Sequence, residues 1–281
     1  MASPVCLSWL GTASVQIRVG NQVLVIDPYL TRFPAWRMGL GRVRPNGELI
    51  ATRIPRCDYV LVTHAHWDHI MDVPDVVRNT GARVLGSQNS CRLMFACGVP
   101  ENKTWRIKVG DRLTLGEFQV EVFPAEHVRT PCPLRGPVAS GLVPPLRARD
   151  YRMDEMYCYR VSVDRYRLIT DPGVDPEDGV TADVLFVHPY RKEGYYDVLL
   201  QRVRPRVVIP YHWDDFFRSL AKPLRPLPVL RLSRWAFPSL AHANSGFKRM
   251  IEHKRPGTRV LTPEVFCAYD VAELLDHTPG A

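Results

Sequence analysis

Apolar residues dominate three short runs near the start of the chain, "VCLSWL" (5–10), "SVQIRV" (14–19) and "QVLVIDP" (22–28), the second with strict alternation of apolar and polar positions. This period of two predicts β-strands. Gly20–Asn21, between the second and third runs, reads as a tight hairpin turn. "DYVLVT" (58–63) is a continuous apolar run, the mark of a strand buried on both faces. The wider spacing of apolar positions in "DVPDVVRNTG" (72–81) and "SQNSCRLMFACG" (87–98) predicts two helices, with the strand "ARVLG" (82–86) between them. Further strands are predicted at "FQVEVFPAEH" (118–127), "MYCYRVSV" (156–163), "YRLITD" (166–171), "DVLFVHP" (183–189), "RVVIPYH" (206–212) and "TRVLTP" (258–263). Helices are predicted at "YYDVLLQRV" (195–203) and "GFKRMIEHK" (246–254).

Strands interleaved with helices predict α/β layers. Neither a repeat nor a domain linker is visible, so residues 1–281 read as one domain, with 215–281 as its C-terminal extension. Two stretches show no clear period: 31–57, and the Pro- and Arg-rich 128–155. Loops of that length in a compact domain are usually functional, so both are expected to border an active site. A Pro-rich segment at 223–238 has no assigned role.

One run concentrates candidate chemistry. "VTHAHWDHI" (62–70) holds three of the chain's nine histidines and an aspartate within six positions. Clustered imidazoles and carboxylates carry a desolvation cost, and a metal cation is the first candidate to offset it. His64, His66 and Asp68 alternate, so an extended backbone would set them on one side, while His69 points elsewhere. Far along the chain His127, Asp171 and His212 each end a predicted strand. In layered α/β folds strand ends gather at one edge, where ligands bind.

The HxHxDH run, followed by His, Asp and His at strand ends, resembles the metallo-β-lactamase superfamily. "WLGTASVQI", "VIDPYL" and "PYHWDDF" are similar to its branch of L-ascorbate-6-phosphate lactonase and N-acylphosphatidylethanolamine phospholipase D type proteins. The resemblance spans about residues 5–215 and implies a four-layer αβ/βα sandwich of two mixed sheets with helices on the outer faces. It implies two divalent ions per chain, zinc first, with manganese or iron as alternatives. His64, His66 and His127 would hold one ion; Asp68, His69 and His212 would hold the other, with Asp171 bridging them. Asp68 would also handle the proton of a metal-bound water. The implied reaction is hydrolysis of a lactone, ester or phosphodiester by metal-bound hydroxide. Two positions depart from the pattern: Thr12 stands where relatives often carry His or Gln, and "TDPG" replaces a Gly-Asp-Thr-Gly sequence.

Around these ligands, Asp27 is expected to support the histidine run by hydrogen bonding rather than to bind metal. His188, Trp67 and Trp213 are candidates for lining the substrate pocket, with core packing as the alternative for the two tryptophans. Arg129 and Arg135 are candidates for gripping an anionic substrate, while Arg147, Arg149 and Arg152 read as solvated. His242, His253 and His277 read as structural or exposed.

Composition adds exclusions. With 46% hydrophobic and 23% charged residues the chain has the makings of a folded core rather than a disordered region. No apolar run reaches the ~20 residues that cross a membrane, and the first residues lack a secretory pattern. Seven scattered cysteines fit reduced thiols in the cytoplasm. The net charge of +8 favours anionic partners, yet the arginines are dispersed and no RNA-binding signature accompanies them, so a small anionic substrate is expected rather than nucleic acid. The competing readings are a di-iron redox enzyme and a non-catalytic, metal-stabilised module that binds RNA or protein. Di-iron relatives carry an acidic residue where His66 stands.

Overall fold

The computed structural model describes residues 3–128, 134–227 and 245–276. Their strands form two seven-stranded sheets. The first contains β1 (Val5–Gly11), β2 (Ser14–Val19), β3 (Gln22–Ile26), β4 (Tyr59–Leu61), β5 (Arg83–Gly86), β6 (Thr104–Arg106) and, beyond β1, β14 (Ala268–Asp270). The second contains β7 (Arg112–Leu115), β8 (Phe118–Pro124), β9 (Tyr157–Val163), β10 (Tyr166–Ile169), β11 (Val184–Val187), β12 (Val207–Pro210) and β13 (Arg259–Val260), paired in that order.

Each sheet is antiparallel over its early strands and parallel afterwards. β1, β2 and β3 pair antiparallel, then β3 to β6 run parallel. β7 to β10 pair antiparallel, then β10 to β13 run parallel. The period of two explains how both faces are covered. Leu24 and Ile26 of β3 enter the core between the sheets, while Val23 and Val25 face the outer helices. On β12, Val207 and Ile209 point inward and Val208 outward.

Outside the first sheet pack α2 (Gly47–Arg53), α3 (Trp67–Ile70), α4 (Val73–Thr80) and α5 (Gln88–Ala96); outside the second pack α6 (Glu193–Val203) and α7 (Ser245–Lys254). The result is the expected four-layer αβ/βα sandwich. Among the described residues no helix is long and apolar enough to cross a membrane, and the six described cysteines are free thiols.

Three differences from the sequence reading matter. Residues 31–57 contain α1 (Arg37–Leu40) and α2, the latter capped by Asn46, whose side chain accepts the N–H of Leu49. Two turns with one buried residue, Ile50, are too short to show a period. β6 and β7 escaped because most of their residues are at least partly exposed. The tail returns to both sheets, through β13 and β14, and α8 (Val271–Asp276) adds Val271, Leu274 and Leu275 to the core between them.

Because β3 and β4 are parallel, and β8, β10, β11 and β12 share a direction, the segments following all of them converge at one edge of the sandwich. Tyr159 Oη donates to the carbonyl of Val62 at 2.6 Å, and Tyr157 N–H to that of Thr63 at 2.9 Å, fastening the histidine run of the first half to the second sheet.

Candidate metal centre

Six of the seven ligands expected from the sequence fall into two sets. The ligand atoms of His64, His66 and His127 lie within 4.8 Å of one another, as do those of Asp68, His69 and His212. His64 to Asp68 sit on the turn from β4 into α3, a single helical turn that swings Asp68 and His69 away from His64 and His66. His212 follows β12 with a left-handed φ of 57°, a strained conformation for a non-glycine residue. Thr12 holds it there: its carbonyl accepts the N–H of His212 at 2.8 Å and its own N–H donates to Asp214 at 3.0 Å. The departure at Thr12 is thus a main-chain support in a buried position.

Hydrogen bonding fixes which nitrogen of each ring keeps its lone pair. His66 Nε2 faces the carbonyl of Leu134 at 3.1 Å; a carbonyl only accepts, so Nε2 carries the proton and Nδ1 the lone pair. His127 Nδ1 donates to the carbonyl of Val128 at 2.6 Å, leaving Nε2. The Thr63 hydroxyl gives its proton to Asp27, so it accepts from His64 Nδ1 at 3.1 Å and leaves His64 Nε2 with a lone pair. Two lone-pair nitrogens, His64 Nε2 and His66 Nδ1, then stand 3.0 Å apart with no proton between them. A cation resolves that repulsion, and the backing hydrogen bonds are those metal-binding imidazoles require. The residues fit the metal.

Electrostatics agree. Burial, with the neighbouring imidazoles, pushes His64 well below its ordinary value and His127 down to about 3, and burial also lowers His66; all three are neutral near pH 7. Burial opposes ionisation of Asp68, but His69 and His212 outweigh it and hold the carboxyl well below the usual range. Its Oδ2 lies 3.3 Å from His212 Nε2 and 3.8 Å from His69 Nε2. Asp27 accepts from His69 Nδ1 at 2.7 Å and lies behind that ring, outside both ligand sets.

Asp171, expected to bridge two ions, enters neither set. Both of its carboxylate oxygens are hydrogen-bonded by the protein. Oδ2 accepts from His188 N–H at 3.0 Å, His188 Nδ1 at 2.6 Å and Arg191 Nε at 3.0 Å. Oδ1 accepts from Gly173 N–H at 2.9 Å and from the Tyr195 hydroxyl. Burial would raise this carboxyl, but Arg191, His188 and Tyr195 keep it far below the usual range. Five hydrogen-bond donors thus surround this carboxylate. "TDPG" serves this arrangement: Gly173 has φ 69°, and a Cβ there would come within 2.2 Å of the Glu126 carbonyl oxygen. Arg191 and Tyr195 were not identified from the sequence, since nothing in "YRKEGYYD" marks them as partners of a residue 20 and 24 positions earlier.

The remaining candidates divide. Trp67 is a core residue, ringed by Tyr29, Phe33, Phe216 and Phe217, and Trp213 stacks on Trp9 at 5.8 Å; both pack rather than wall a pocket. His188 is buried, held neutral by burial that lowers it to about 4, with its ring 5.3 Å from that of His212. Arg135 is exposed and close enough to His66 to disfavour its protonation. Arg147, Arg149, Arg152 and His253 are exposed, while Arg129, His242 and His277 lie outside the described residues.

Comparisons with known proteins agree with this picture. A family model described as "Beta-lactamase superfamily domain" matches residues 22–147. The chain is 24% identical over 213 residues to a UPF0173 metal-dependent hydrolase of Pyrobaculum arsenaticum, covering 75% of this chain and 84% of that one. Two solved structures share the architecture. CmlA, a diiron β-hydroxylase from Streptomyces venezuelae, gives a TM-score of 0.62 at 14% identity over 96% of this chain and 55% of its own. YhfI of Bacillus subtilis, a metallo-β-lactamase fold protein, gives 0.58 at 12% identity over 95% and 99%. At such identities the likeness concerns the fold alone. The two-sheet sandwich with ligand clusters at one edge is the metallo-β-lactamase fold. In sequence the chain is similar to that superfamily's domain over residues 22–147.

Proposed function

We propose that this protein is a metal-dependent hydrolase with a dinuclear centre, acting on a lactone, ester or phosphodiester whose substrate carries a negative charge. The observation that carries the reading is the convergence of two ligand sets, each of three side chains, with the lone pairs of the first set facing one another. Zinc is the first candidate, because neutral imidazoles and a carboxylate suit it; manganese and iron are compatible. Two such cations, when bound, acidify water and polarise the bond to be broken.

The chain's own residues supply the rest. Thr63, Asp27, Leu134 and Val128 orient the imidazoles. An aromatic cluster packs around Trp67, the residue before Asp68 on the same turn. Asp68 would help to hold the second ion and would be the group to take a proton from an attacking water. Arg135, beside His66, supports an anionic substrate. The segments "WLGTASVQI" and "PYHWDDF" favour the lactonase and phospholipase D branch.

The test is a panel of anionic lactones, aryl esters and bis-aryl phosphodiesters, assayed with zinc and manganese. Metal-dependent turnover of one class is expected. Turnover of none by protein shown to hold metal would remove the reading, and oxygen consumption by iron-loaded protein would replace it with the redox alternative.

A further inference from the structure

The two halves of the molecule repeat one arrangement. In the first, β3 is antiparallel to β2 and parallel to β4, and Asp27 follows its last residue. Asp27 accepts the N–H of Thr63, just past β4, at 2.7 Å and Nδ1–H of His69 at 2.7 Å. In the second, β10 is antiparallel to β9 and parallel to β11, and Asp171 lies two residues past it. Asp171 accepts the N–H of His188, just past β11, at 3.0 Å and Nδ1–H of the same ring at 2.6 Å. In both cases a strand-end carboxylate grips a main-chain N–H just past the neighbouring parallel strand and an imidazole, that of His69 on α3 in the first half and that of His188 in the second.

We propose that Asp171 is a positioning residue and not a metal ligand, fixing His188 so that its Nε2 offers a lone pair beside His212, as a hydrogen-bond acceptor for a hydroxyl or N–H of the substrate. The assignment rests on the site being a metal centre. With Nδ1 donating to a carboxylate, the neutral ring keeps its lone pair on Nε2. That nitrogen has no hydrogen-bond partner among the described residues, and the rings of Tyr211 at 4.9 Å, Tyr190 at 5.3 Å and His212 at 5.3 Å neighbour the imidazole. His188 belongs to neither ligand set. Arg191 completes the support, since it binds Asp171 and donates to the carbonyl of Glu126, next to the ligand His127.

Two measurements test this without any substrate. Zinc titration of Asp171→Asn should give the wild-type stoichiometry, with Kd changed by less than about tenfold, the lower bound for losing a group that supports a ligand. Loss of one equivalent would make Asp171 a ligand and overturn the proposal. Should that variant not fold, wild-type protein decides. The His188 Nδ1–H proton, observed by NMR with nitrogen-15 labelling, should persist when zinc is added; its disappearance on loading would mean that Asp171 has left His188 for the cations. In a folded Asp171→Asn protein the same signal should move upfield while that of His69 stays in place, and an unmoved His188 signal would refute the positioning role. If the hydrolase reading fails, both outcomes remain readable, because neither depends on turnover.

Discussion

Asp27 and Asp171 occupy equivalent places in the two halves yet end in different company. The imidazole that Asp27 holds belongs to a ligand set, and its other partners are the N–H and hydroxyl of Thr63. Asp171 holds an imidazole outside both sets, and adds the Arg191 guanidinium and the Tyr195 hydroxyl. Topology decides that a carboxylate stands at each strand end. What it does there is decided by neighbours the topology does not specify: the turn carrying the candidate ligands beside Asp27, and the entry to α6 beside Asp171.

The largest effect is expected at the ligands themselves. Asp68→Asn should lose one metal equivalent and most turnover while unfolding like wild type; a folded variant with a near wild-type rate would remove its role. Asp27→Asn comes next, and addresses the comparison directly. Loss of a partner orienting a ligand imidazole costs ~10–100-fold in metal affinity, so Asp27→Asn should weaken zinc binding by that much while Asp171→Asn does not. Equal effects of the two variants would erase the distinction between the halves.

A third buried carboxylate sharpens the contrast by lacking a cation. One oxygen of Asp72 accepts the N–H groups of Leu30 at 2.6 Å and Thr31 at 2.7 Å, and its other oxygen has no partner among the described residues. Burial pushes it up from 3.8 to about 6. The fold therefore favours the protonated acid: its contribution to stability is complete below about pH 4 and is lost as pH rises through about 6. Asp171 has the opposite sign, stabilising above the ordinary carboxylate range and losing that contribution as pH falls below it. Asp72→Asn should thus gain on wild type with rising pH, by up to ~3 kcal/mol at pH 7 (about two units at ~1.4 kcal/mol each). Denaturant midpoints across pH 4–8 check this; a difference independent of pH would contradict it. The smallest effect is expected at exposed Arg135, where Ala should raise KM a few-fold and leave kcat nearly unchanged, the sign of lost uniform binding. An unchanged KM would return Arg135 to the solvated surface.

The fold was largely legible because its central strands are strongly patterned, and the six side chains of the two candidate ligand sets were legible because HxHxDH is compact and His127 and His212 end recognisable strands. The rest was hidden for physical reasons. α1 and α2 are too short to establish a period within 31–57, and β14 is a three-residue edge strand. Asp171 was assigned from its order in the chain, but its use depends on Arg191, Tyr195 and His188, which reach it only through the β10–β11 pairing and the start of α6. Trp67 lies between two ligands in sequence and yet turns into the core, since the helical turn at 67–70 sends its ring away from theirs.

Metal stoichiometry tests the central claim most directly. Purified protein, stripped of metal and dialysed to equilibrium against zinc, should hold about two ions per chain by elemental analysis, and one fewer after His66→Ala. A wild-type value of one or none under saturating metal would contradict the dinuclear centre on which the hydrolase reading stands.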